Sequence, residues 1–281
     1  MVGGGKLGAR CAALLVERGF DVTVARRNAT ASTLPSMSVD VREPDTLTVL
    51  EQCDWTLVVI ALTADEFSES AYQATYVEGV GNVLAELERG GQGQLGPLVL
   101  FVSSTSIYGQ QQGEWVDESS EILPGGFSGR AMQAAEQRLR ESPLPTCSLR
   151  LGGIYGGGAN RLLQRAASGL LLPKEPVRYS NRIHVDDAAA AMIFVAQAHG
   201  GGSQLASCYN VVDDNPAPLH EVELWLAQQQ GVGKEAVSED ASGGRAGSKR
   251  CSNAALKALG FQLRYPDYKS GYSAILASAE S

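Results

Sequence analysis

Three clusters of residues in this sequence have types and spacings that could do chemistry. Gly3-Gly4-Gly5-Lys6-Leu7-Gly8 satisfies G-x-G-x-x-G. In that spacing Gly3 permits a tight turn, Gly5 lets backbone approach a pyrophosphate, and Gly8 allows a helix to pack closely. The helix amino terminus, with Lys6 and Leu7 in its first turn, then faces the phosphates. Arg26-Arg27 stands where the NAD-type fingerprint places an acidic residue for the ribose 2′-hydroxyl. Two guanidinium groups there suit a 2′-phosphate, so the pair is read as favouring NADP over NAD, with a solvated charge pair as the structural alternative. Ser103-Ser104-Thr105-Ser106 closes an apolar run, and hydroxyls at the carboxyl end of a parallel strand stand where α/β ligand crevices form. A turn cap at the strand end is the plainer reading of the same serines.

The elements that must position these clusters alternate. Leu7, Cys11, Leu14 and Leu15 recur at helical spacing up to Gly19, placed for a left-handed cap. Strands are expected at 21–25 and 38–41, a helix opening at Pro44, and a strand at 56–62 whose continuous apolar character marks the centre of a parallel sheet. A long helix from Ser70 to Arg89, strands at 98–102 and 146–151, and a helix at 131–140 complete the alternation, which predicts right-handed crossovers. Beyond Gly152 the pattern loosens into a turn-rich stretch to Gly158, an Ala-rich helix at 186–198, a strand at 208–212 and a helix at 219–230. Residues 231–249 carry little apolar content and are expected to be mobile. The expected fold is therefore α/β, a Rossmann-type doubly wound parallel sheet over 1–152. A small C-terminal α/β lobe forms mainly from 153–281, with segments returning to the sheet. Only Met1 and Val2 precede the glycine loop, whereas a first strand usually has five or six residues, so the expectation is either an earlier start or, with this start, a stunted strand and a weaker cofactor site.

A formal net charge of −8 gives no electrostatic reason to bind nucleic acid or anionic membranes. Five cysteines (Cys11, Cys53, Cys147, Cys208, Cys251) without C-x-x-C spacing suggest neither a disulfide framework nor a metal site. No apolar run approaches the roughly 18 residues of a membrane span, and the cytoplasm is the expected compartment.

Taken together, these motifs resemble the extended and atypical short-chain dehydrogenase/reductases, especially the NAD-dependent epimerase/dehydratase proteins. The resemblance rests on the glycine loop, Asp40-Val41, the segment 76–84 on the long helix, Val102 to Gly109, Leu149 to Gly156, Ile183 to Asp187, and Tyr209-Asn210-Val211. It implies that Asp40 and Val41 lie by the adenine, that Ala61, Leu62, Thr63 and Ser103 line the cofactor, and that Ser104 is the active-site serine, with a second hydroxyl at Ser106. It also implies a small-molecule substrate and a homodimer through the helices near 70–89 and 131–140.

The sequence departs from the family where the chemistry is done. Relatives carry Tyr-x-x-x-Lys on the helix after the serine strand, where the lysine lowers the tyrosine pKa for proton transfer. Here Ser128-Gly129-Arg130-Ala131-Met132 occupies that register, so both partners are missing. A serine is too weak an acid to substitute, Met132 brings no charge, and Arg130 is displaced around the helix. Tyr108 is then the nearest phenol to Ser104 and a candidate proton donor, against a packing role in its Tyr-Gly turn. Gly153 and Ser180 replace an Asn and an Arg common in sugar-nucleotide epimerases, leaving Arg182 as a cation for an anionic group. His184 reads as structural, Asp186 and Asp187 as helix-start carboxylates, and 114–118 as a substrate lid or an exposed acidic loop. The leading expectation is an NAD(P)-dependent oxidoreductase or epimerase-like protein acting on a small polar or sugar-like substrate. A dinucleotide-binding sensor or scaffold without redox turnover is the alternative.

Overall fold

A computed structural model describes residues 1–29, 33–90, 96–158, 160–232, 236–237 and 247–279. Most of the segment expected to be mobile, 231–249, lies outside the described residues. The main sheet is parallel, and its strands are β1 (Val24–Arg26), β2 (Ser36–Ser38), β3 (Leu57–Ile60), β4 (Leu98–Ser104), β5 (Thr146–Leu151) and β6 (Cys208–Val211). Their order is β2, β1, Val2, β3, β4, β5, β6, with Val2 alone bridging Ala25 on one side and Ile60 on the other. One residue suffices because its neighbours supply the ladder. Val2 donates to Val59 and Gly3 to Ala25, while Ala25 and Ala61 donate back to Met1 and Val2, all at 2.8 Å.

Side chains alternate across a strand, and the core divides accordingly. Val59, Leu98 and Leu100 face a layer built by α1 (Lys6–Glu17) and the Ala-rich helix Val185–Gly200. Val58, Ile60, Val99 and Phe101 face the other layer, where Val80, Val83 and Leu84 of the long helix meet Met132 and Leu139 of Phe127–Glu141. Apolar residues on both faces explain why β3 and β4 read as unbroken hydrophobic runs. Gly19 ends α1 at φ +82°, with Phe20 donating to Leu15 and Gly19 to Val16, the expected left-handed cap.

Two expected elements shift. The strand expected at 38–41 is paired only at Ser36–Ser38, because Asp40 leaves the ladder to donate to Thr46 Oγ1 and its carboxylate accepts from the Arg42 amide. The long helix is wound as α over Glu69–Tyr72, as π over Gln73–Glu78 and as α again over Gly79–Gly90. The wide turns let Gly79 sit against Val41, where a Cβ would meet Val41 Cγ2 at 2.7 Å, and Asn82 Nδ2 donates to the Val41 carbonyl.

Past Gly152, the turn-rich stretch contains a strand, Gly153–Tyr155, paired in parallel with Arg182–His184. A separate core of Tyr155, Leu171, Val222, Leu226, Tyr268 and Tyr272 holds this region together. Among the described residues no helix is long and apolar enough to cross a membrane.

Candidate cofactor and substrate clefts

The glycine loop is shaped by contacts that no other residue tolerates. Gly3 has φ +101°, and a Cβ there would lie 2.1 Å from the Ala61 carbonyl oxygen; a Cβ on Gly8 would lie 2.3 Å from that of Gly3. Gly5 caps α1 with no side-chain hydrogen bond, and nothing lies within 4 Å of where its Cβ would be. Open space over an uncapped helix start suits the pyrophosphate of a dinucleotide.

A cleft of about 320 Å³ opens over this loop. Gly3, Gly5, Arg26, Arg27, Asp40, Val41, Ala61, Leu62 and Thr63 all line it, so the geometry brings together what the sequence placed on four separate segments. Lys6, Leu7 and Gly8 lie behind it. Lys6 turns instead toward a groove shared with Arg10 and His184, and Gly8 serves as packing. At the rim stands a charge network absent from the sequence reading. Arg27 donates two hydrogen bonds to Asp65 (2.6 and 2.7 Å), and Arg42 bridges Asp65 (3.0 Å) and Asp40 (2.6 Å). These guanidinium partners hold both carboxyls below the usual carboxylate range. Arg26 crosses over Gly4 and has no ion pair among the described residues.

A second cleft, about 430 Å³, shares Leu62 with the first and reaches Ser103, Ser104 and Ser106. Ser104 Oγ accepts from the Ser106 amide at 3.1 Å, which is the turn cap, and its own proton has no acceptor among the described residues. Ser103 faces inward: its hydroxyl donates to Glu136 (2.7 Å), which is buried against Arg150 (2.7 Å). Ser128 and Met132 line this cleft in the register where relatives carry tyrosine and lysine. Gly129 lets that helix lie on Ser106, since a Cβ would approach the Ser106 carbonyl oxygen to 2.5 Å.

Several candidates are corrected by their surroundings. Tyr108 is buried and does not line either cleft; its hydroxyl donates to Asn210 (2.9 Å) and accepts from Arg150 (2.8 Å), and burial pushes its pKa up. A phenol so held packs the turn and is no proton donor to the cleft. Arg182 is buried, donates to Ser180 and lies over the Tyr268 ring, so it reaches no open cleft. Arg130 pairs with Glu69 on the surface. The segment around 114–118 is neither lid nor loose loop, because Glu114–Val116 pairs with Lys249–Cys251 and Glu118 accepts from the Asn210 amide at 2.6 Å. His184 caps its helix by accepting from Asp186, Asp186 pairs with Arg10 (2.6 Å), and Asp187 accepts from the Arg264 and Tyr265 amides. These are structural roles, as read.

Arg178, Phe67 and Tyr72, absent from the sequence candidates, and Tyr76, named there only as part of the helix motif, also line the second cleft. Nothing in their local spacing announces a site; only the fold brings them to the hydroxyls. Among the described residues no group of three His, Cys, Asp or Glu is arranged to hold a metal ion.

Comparison with known proteins agrees with this architecture. The curated relative Protein YeeZ of Escherichia coli (strain K12) is 29% identical over 287 residues, spanning 95% of this chain and 96% of that one. A solved Methylobacillus flagellatus protein, provisionally assigned as a NAD-dependent epimerase/dehydratase, is 36% identical, with TM-score 0.84 over 100% of this chain and 97% of its own. UDP-N-acetylglucosamine 4-epimerase of Bacillus cereus, at 17% identity and TM-score 0.78 over 99% and 96% of the two chains, shares the fold. The model of the NAD dependent epimerase/dehydratase family matches residues 1–211. With its glycine loop, its serine strand and most of its length inside that match, the chain belongs to the NAD-dependent epimerase/dehydratase family.

Proposed function

We propose that the chain binds a nicotinamide dinucleotide along the first cleft, prefers NADP(H), and acts as an oxidoreductase or epimerase-like enzyme on a small polar or sugar-like substrate in the second. The observation that carries this reading is that the two clefts meet at Leu62, which lines both, one running to the glycine loop and the other to Ser104. The bound dinucleotide supplies hydride transfer. Gly3, Gly5 and the start of α1 hold its phosphates, and Ala61, Leu62 and Thr63 direct it toward the serines. The NADP preference rests on charge. Three arginines (Arg26, Arg27, Arg42) meet two carboxylates (Asp40, Asp65) at the rim, so one positive charge is left over, on Arg26. A 2′-phosphate complements it.

In the second cleft Ser104 donates its proton to a substrate oxygen and so orients the reacting carbon. Ser106 and Ser128 add hydroxyls to the same wall. With Met132 in place of a lysine, no cation sharpens a neighbouring acid on this helix, and turnover is expected to be slow. Residues 1–152 are assigned as the cofactor-binding domain, which also carries the serines of the second cleft, and 153–281 mainly as a small substrate lobe with segments returning to the sheet. Work in the cytoplasm, in keeping with the free cysteines, and a homodimer through the 70–89 and 131–140 helices belong to the same proposal.

A second reading, a dinucleotide sensor without turnover, is favoured by one observation: Ser128 holds the register of the missing tyrosine, while the phenol of Tyr108 is buried and that of Tyr76 donates to the Leu62 carbonyl. Consumption of NADPH against a panel of carbonyl compounds separates the two. Turnover lost in Ser104→Ala, with dinucleotide affinity intact, supports the enzyme. Saturable dinucleotide binding with no turnover on any compound supports the sensor.

A further inference from the structure

We infer that the second cleft takes a small substrate with a single anionic group, a carboxylate or a phosphate, bound by Arg178. The inference rests on reading that cleft as the substrate site. Arg178 lies just before the short strand Tyr179–Ser180, and its backbone is fixed where its carbonyl accepts from the Leu219 amide at 2.7 Å. Its side chain is partly buried, lines the cleft, and has no hydrogen bond or ion pair among the described residues.

The neighbouring arginines are committed. Arg182 is spent on Ser180 and the Tyr268 ring. Arg250 is sandwiched between Trp115 (5.1 Å) and Tyr179 (4.8 Å), and donates to the Gly113 carbonyl at 2.7 Å. Among the described residues no aspartate or glutamate lines the cleft, so the charge of Arg178 has no counter-ion among them there. A guanidinium partly removed from water, with free donors and no carboxylate, is an anion site in which a planar carboxylate or a phosphate makes paired hydrogen bonds.

The rest of the wall sets the remainder of the ligand. Ser104, Ser106 and Ser128 come from the end of β4 and the start of the following helix, whereas Arg178 comes from the C-terminal region, so the anion and the reacting oxygen are held by different parts of the fold. Phe67, packed on Tyr72 (5.6 Å) and Phe127 (4.7 Å) yet 46% exposed, offers an apolar face to a hydrocarbon or ring. One cation matches one anionic group, so a keto or hydroxy acid, or its phosphate counterpart, fits better than a diphosphate.

The test is calorimetric titration of the protein saturated with NADP⁺, using phenylpyruvate, phenyl phosphate and the uncharged phenylacetone as probes. At least one anionic probe is expected to bind about tenfold or more tightly than phenylacetone, a gap typical of one charge-assisted contact. Which anion binds better distinguishes carboxylate from phosphate. Arg178→Ala should erase the gap and Arg178→Lys should retain part of it, with melting curves confirming that both variants fold. Equal binding of phenylacetone, an unchanged gap in Arg178→Ala, or no binding of either anion at millimolar concentration overturns the inference while leaving the cofactor reading intact. Absence of dinucleotide binding, measured first, overturns both.

Discussion

The two clefts share Leu62 and little else. The first is shaped by backbone: glycines at fixed spacing, a carbonyl 2.1 Å from where a Cβ on Gly3 would sit, and a rim in which carboxylates offset most of the arginine charge. The second is shaped by side chains from distant segments: serines from one strand, a serine and methionine from a helix, aromatics from the 67–76 region, and a lone arginine from beyond residue 152. Backbone geometry leaves few sequence solutions, so the first cleft keeps its motif. Side-chain geometry leaves many, and the second cleft holds Ser128 and Met132 in the register that the family motif gives to tyrosine and lysine.

The largest test of that contrast strikes the support of the second cleft. Glu136→Ala leaves Arg150 buried without its carboxylate and Ser103 without its acceptor, and is expected to cost about 3–5 kcal/mol in urea unfolding. Gly8→Ala strikes the first cleft. Its methyl collides with the Gly3 carbonyl oxygen, at a cost of about 1–3 kcal/mol in stability, and dinucleotide affinity should fall roughly tenfold or more. Ser104→Ala, by contrast, should leave that affinity unchanged. If Gly8→Ala binds as well as the parent, the loop is not the phosphate site.

The C-terminal region supplies a pH test. Asp213 is buried with Oδ2 lacking a hydrogen-bond partner among the described residues, and burial raises its pKa to about 7, against the opposing pull of Arg182. A carboxyl raised in the folded state stabilises the fold below its unfolded pKa near 3.8, and that contribution is lost as pH rises through about 7. Asp213→Asn should therefore gain on the parent protein between pH 5 and pH 8, by about 1–3 kcal/mol at the upper end. A constant difference across that range contradicts the assignment. The smallest effect lies at the cofactor rim. Asp65→Asn frees Arg27 and relaxes Arg42, and the ratio of NADPH to NADH affinity should rise about two- to fivefold, more at low salt. A falling ratio contradicts the role given to these arginines.

Much of the fold was legible because its elements are periodic. The run at 56–62 and the helix before Gly19 could hardly be read otherwise, and Val2 functions as a strand because Ala25 and Ile60 hold it from both sides. What escaped notice depends on partners remote in sequence. The π-wound segment at 73–78 follows no local signal, and it brings Tyr76 into the second cleft and seats Gly79 on Val41. Tyr108 looked available because it lies four residues after Ser104, but Arg150 and Asn210, 42 and 102 residues further on, take its hydroxyl. Arg182 looked like the anion partner because Ser180 holds the register of the family arginine and Arg182 is the cation left beside it, whereas the chain turns so that Arg178 faces the cleft and Arg182 the core.

The central claim is that the glycine-loop cleft binds a nicotinamide dinucleotide. Equilibrium titration with NADPH and NADH, followed by the fluorescence of the reduced nicotinamide in the parent protein and in Gly8→Ala, tests it most directly. Saturable binding, tighter for NADPH and greatly weakened in Gly8→Ala, is the predicted result; no saturable binding of either dinucleotide, or binding indifferent to Gly8→Ala, contradicts the account.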